Sequence, residues 1–125
     1  GMSALERSIL LACDQVVTPV LPEYFSADGL ETFAEALAGI NKAYRRAVRH
    51  RHVVVNMVNR SFTLHGMLLE QYQRLDFTIH VVPTDRAVAD SQAAHQAVAE
   101  YAPRSRAVAA LEALTQAVIG GNGAH

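Results

Sequence analysis

Cys13 is the only cysteine among 125 residues, so no disulfide can form within the chain. No continuous apolar run approaches the length of a membrane span or of a secretory hydrophobic core. Neither sign of charge dominates. Eleven Lys and Arg stand against 12 Asp and Glu, a formal net charge of −1, which argues against a dedicated nucleic-acid module with a basic surface. Internal repeats, a glycine-rich phosphate loop, a G-x-S-x-G elbow and an H-E-x-x-H pattern are all missing. No nucleophile, base and orienting group can be assembled, so an enzyme is not expected. What is left is a cytoplasmic globular chain, 50% hydrophobic and 18% charged, long enough for one core and short for two. Gly1 ahead of Met2 reads as a tag-cleavage scar and is set aside.

The strongest pattern present runs from Asp28 to His52. Leu30, Phe33, Ala34, Leu37, Ile40, Tyr44, Ala47 and Val48 recur every three or four residues and predict a helix with one buried stripe. Asp28 with Glu31 suits its start, and the arginines from Arg45 to Arg51 suit its negative end. Asn41 falls inside the apolar stripe and Arg45 lies one turn on at its flank. An amide and a guanidinium there need partners or a ligand.

Other helices are predicted on either side. Ser3 with Glu6 forms a capping box ahead of Leu5, Ile9, Ala12, Cys13 and Val16, and Pro19 and Pro22 end that segment. Val54, Met57, Val58, Leu64, Leu68, Tyr72 and Leu75 predict a helix over 54–75. Val53-Val54-Val55 alone would suit a strand, but the length of the pattern favours helix. His65 sits on the flank of that face. Residues 76–84 read as an extended connector, β-like but without an obvious partner strand, with His80 exposed.

Asp85 caps a further helix with Val88, Ser91, His95, Val98 and Ala102 inward, closed by Pro103. The last helix runs from about Ser105 to Ile119, is stopped by the glycines from Gly120 to Gly123, and leaves His125 frayed. The basic run Arg49-His50-Arg51-His52 reads as a solvated helix end. The expected fold is all-α, an antiparallel bundle of about five helices forming one domain over residues 2–125.

Three stretches, Ala27 to Val48, about Asn59 to Leu75, and Asp85 to Val118, resemble the FCD effector-binding domain that follows the winged helix in many GntR-type bacterial transcription regulators. Residues 2–26 match it poorly. The resemblance implies a ligand-sensing and dimerisation domain. In that family an Asp, a His one turn later and two further His commonly bind a divalent metal beside the effector. Here those positions are Asn41, Arg45, His95 and Ala117, so His95 is the one ligand retained and no metal or other cofactor is expected.

Arg45 can instead offer a carboxylate fixed charge and two donors. The resulting expectation is a pocket between helices, lined by Asn41, Arg45 and His95 with His65 and Arg60, that takes a small organic acid in a homodimer. Direct DNA binding by this chain and membrane association are not expected. The alternative is a structural or interaction bundle that works by oligomerising without a ligand.

Overall fold

A computed structural model describes residues 2–122. Gly1, Gly123 and His125, which carried expectations above, lie outside the described residues. The architecture is α/β, which corrects the all-α bundle. Strands β1 (Gln15–Val20), β2 (Arg49–Val58) and β3 (Thr78–Pro83) form one parallel sheet in that order. Around it stand α1 (Ala4–Ala12), α2 (Ala27–Tyr44), α3 (Thr63–Gln73), α4 (Arg86–Ala93), α5 (Val98–Tyr101) and α6 (Arg106–Asn122), with a 3-10 turn at Pro22–Tyr24.

The helix expected over 54–75 divides. Its first part is the carboxyl half of β2 and its second is α3. Val53, Val54, Val55 and Val58 are all buried, and a strand covered on both faces is a continuous β-branched run with no visible alternation. The connector over 76–84 supplies β3, and the segment after α1 supplies β1. Both pair with β2, as Val16 with His50 and Val53 with Ile79. The basic run at 49–52 accordingly opens a strand, and His80 is half-buried rather than exposed.

Parallel strands need long crossovers, and α2 and α3 provide them on one face. There Leu30 of α2 and Leu69 and Tyr72 of α3 share a core with Val53, Val55 and Val58. The opposite face is covered by α6, where Val54 and Val82 pack with Ala107. Removing the two faces from water is the main favourable term in holding the sheet. A third cluster joins α1 to α2 through Leu10, Leu37, Ile40 and Val48.

Local signals set most helix starts. Ser3 accepts from Glu6 N at 3.1 Å, Asp85 from Ala87 N at 2.9 Å and Ser105 from Val108 N at 3.0 Å. α2 begins one cap earlier than expected, with Ser26 accepting from Gly29 N at 3.0 Å. It also ends earlier, because Arg45 enters the left-handed region at φ 53° and Arg46 N closes onto Asn41 O at 2.9 Å. The helix expected to run from Asp85 to Ala102 breaks likewise at His95, φ 55°, with Gln96 N bonded to Ser91 O at 3.0 Å. α6 continues past Gly120 to Asn122.

Candidate functional site at the carboxyl ends of the strands

In open parallel sheets ligands bind outside the carboxyl ends of the strands, because loops there can vary while helix starts and strand ends hold them. The segments at that edge are Leu21 to Tyr24 after β1, Asn59 to Phe62 after β2, and Thr84 and Asp85 after β3. A cleft of about 430 Å3 opens between the last two, lined by Asn59, Arg60, Ser61, Thr84 and Arg106 over the apolar Val58, Val81 and Pro83. Two guanidinium-bearing residues thus come to it from different elements, Arg60 from the loop after β2 and Arg106 from the first turn of α6.

The loop after β2 is held from both sides. Asn59 Oδ1 accepts from Ser61 N at 3.1 Å and from Ser61 Oγ at 2.7 Å, folding the loop on itself. Asn59 N donates to Nδ1 of His65 at 2.9 Å, and His65 Nε2 lies 2.6 Å from Oε1 of Glu23. An accepting Nδ1 places the ring proton on Nε2, where it is donated to the carboxylate. His65 is 7% exposed and its ring stacks on Phe62 at 4.8 Å. It ties the loop after β1 to the loop after β2. Tyr72 adds a second tie by donating to Leu21 O at 3.3 Å, and Thr84 N donates to Val58 O at 3.0 Å.

Backbone irregularity is also present at this edge. The β2–β3 register shifts between Val55 and Val58, and Met57 within that bulge adopts φ 56°. Bulges and left-handed non-glycine residues re-aim the chain at a conformational cost that the surrounding structure must impose. On the far side of the cleft Asp85 caps α4 and meets the start of α6. Hydrogen bonds from the backbone of Ala87 hold its carboxyl below the usual carboxylate range, with those of Ala107 and Arg106 and the Arg106 charge adding to the effect against partial desolvation.

Of the residues expected to share one pocket, Arg60 lines this cleft and His65 orients its loop. Asn41, Arg45 and His95 line neither this cleft nor the groove beside β1 described below. Asn41 spends both ends of its amide on Val48, with Nδ2 donating to the carbonyl at 2.9 Å and Oδ1 accepting from the N–H at 3.0 Å. The polar group in the apolar stripe is therefore satisfied by backbone, at the junction of α2 with β2. Arg45 and His95 are exposed, each as the left-handed residue that ends its helix. Ala117 lies on α6, half-buried.

Sequence reasoning missed Asn59, Ser61, Thr84, Arg106 and Glu23. The signal available was an Asn-Arg-Ser and a Pro-Thr-Asp turn, each directly after a β-branched run. Among the described residues no three His, Cys, Asp or Glu side chains come together as a metal site would require. No helix among them is long and apolar enough to cross a membrane.

No family model matches the chain. It is 35% identical over 113 residues, 90% of its length, to a protein of Borreliella burgdorferi that bears the name Uncharacterized protein BBD21. The chain spans 46% of that relative, about half its length.

Proposed function

We propose that this chain supplies one wall of a binding site for a nucleotide-sized, phosphorylated organic anion at the carboxyl edge of a parallel α/β sheet, in a cytoplasmic protein. The observation that carries the reading is Arg60 and Arg106 lining one cleft from two separate elements. Their planar donor sets suit phosphate or carboxylate oxygens, and the positive end of α6 adds to them. Val58, Val81 and Pro83 offer an apolar bed for a ring, and the Asn59 amide can read a polar ring edge. The His65–Glu23 tie keeps the loop in one shape before the ligand arrives, which lowers the ordering cost of binding.

The small organic anion expected from the sequence is retained in this reading, and its place moves from between helices to the strand ends. The regulator role was carried by likeness to an all-helical domain, and a parallel sheet gives that likeness no architectural support. A second reading, an interaction module, draws on the exposed Tyr24, Phe62, Leu64 and Met67 beside the same edge.

Thermal shift tests the first reading against ATP, GTP and small carboxylates, using the protein and its Arg60→Ala and Arg106→Ala variants. A nucleotide should raise the midpoint, and each substitution should reduce the rise. No rise with any nucleotide, or an undiminished rise in both variants, excludes it.

A further inference from the structure

We propose that the outer edge of β1 is the seat of one more parallel strand, supplied by polypeptide that precedes α1, so that the described sheet is the second half of a doubly wound sheet. This rests on the fold rather than on the cleft and stands whether or not the cleft binds a nucleotide.

Within the described residues β1 pairs with β2 and with no other strand, leaving its outer edge without a strand partner. Purely parallel sheets are normally buried, and an unpaired edge is a template for pairing, here with Pro19 withholding one N–H donor from the ladder. Val16, Val17 and Val20 are half-buried, and beside them runs an apolar groove of about 420 Å3 that reaches Tyr24, Leu30 and Phe33. A further strand and the side chains it carries would fill this space.

The position of α1 says which strand. β1-α2-β2 and β2-α3-β3 step across the sheet in one direction and lay both helices on one face, as right-handed crossovers do. α1 stands on that same face, packed on α2 through Leu10, Leu37 and Ile40 next to Val16. It therefore occupies the place of the crossover helix that leads from the last strand of a preceding half into β1, and that same half, on polypeptide before α1, supplies the neighbour of β1.

The order also fits. Doubly wound sheets run 3-2-1-4-5-6, and β1-β2-β3 matches the half 4-5-6, whose first strand borders strand 1 of the other half. The relative from Borreliella burgdorferi has the length for such a half, since the chain spans 46% of it. The new strand would meet β1 at the switch point, where the two halves flank a ligand crevice.

Amide hydrogen exchange at Val16, Val17, Thr18 and Val20 tests this, comparing the 125-residue chain with the polypeptide encoded by the whole reading frame that contains it. Pairing on both edges should slow all four in the longer protein, and those that point away from β2 should exchange at least about 100-fold faster in the shorter one. Should the shorter chain not fold alone, the longer protein still decides, because fast exchange at alternate positions of β1 means that one edge is open. Equal rates in both proteins, a frame that opens at Met2, or concentration-dependent protection in the 125-residue chain through a second copy would each overturn the proposal.

Discussion

His52 Nδ1 and His80 Nε2 lie 2.8 Å apart across the β2–β3 pair, so one ring donates and the other must accept through an unprotonated nitrogen. His52 is 7% exposed, and burial holds its pKa below the ordinary histidine value, with Arg51 and Arg49 adding repulsion. Burial lowers His80 as well, and the charge of His52 lowers it further. His50, set between Phe33 and Phe77 with Nε2 on the Thr18 hydroxyl at 2.7 Å, is lowered by burial. The neutral forms belong to the fold.

The pH dependence follows from those directions. A histidine whose folded pKa lies below its unfolded value of about 6.5 leaves stability intact above that pH, because both states are neutral there. Below it the unfolded chain binds protons first, so stability falls until the folded-state values are passed. The urea midpoint should be lower at pH 5.5 than at pH 7.5, and His80→Gln should flatten the difference. Equal midpoints in the parent protein would contradict the account of these three residues.

Asn41→Ala should destabilise without touching ligand binding. It removes both hydrogen bonds to the buried Val48 and leaves that residue's N–H and carbonyl without their partner, a loss of about 1–3 kcal/mol. Urea unfolding reads the first part and the nucleotide titration the second. A weaker ligand affinity at unchanged stability would return Asn41 to the binding site.

Arg45→Gly and His95→Gly should each stabilise by roughly 0.5–1 kcal/mol, since a left-handed conformation strains residues with a Cβ and glycine's added unfolded-state freedom offsets only part of the gain. Calorimetric or urea midpoints would rise. A fall in either variant would show that its side chain makes a contact worth more than the strain.

Glu23→Ala should weaken nucleotide binding about fivefold by releasing one end of the His65 tie, equivalent to about 1 kcal/mol. Glu23→Gln keeps an acceptor for the Nε2 proton and should retain most of the affinity. If the two variants bind alike, the tie does not position the loop.

Much of the helical part of this molecule is written locally. The Ser3–Glu6 capping box, the Asp85 cap and the stripe through Leu30, Leu37 and Ile40 each state a helix within a few residues of itself. The strands are different in kind. Val53-Val54-Val55 and Ile79-His80-Val81 become strands by pairing with one another at a distance of 26 positions, and β1 by pairing with residues 34 or 35 positions on. Both runs carry local β-propensity, but nothing local names the distant partner that decides for a strand, and a doubly covered strand shows no alternation.

The site was legible to a similar degree. Arg60 and His65 stood out as charged or titratable residues beside an apolar pattern, whereas Asn59, Thr84 and Arg106 gain meaning only once two strand ends and a helix start are side by side. Asn41 misled for a physical reason. A buried amide demands a partner, and backbone satisfied it where a ligand was expected.

The most direct test of the binding account is a titration of uniformly nitrogen-15-labelled protein with ATP, followed by the amide resonances of Asn59, Arg60, Ser61, Thr84 and Arg106. The account predicts saturable shifts concentrated at those five positions and abolished by Arg60→Ala with Arg106→Ala. Shifts clustered instead at Asn41, Arg45 and His95, or no saturable shift at the strand ends, would contradict it.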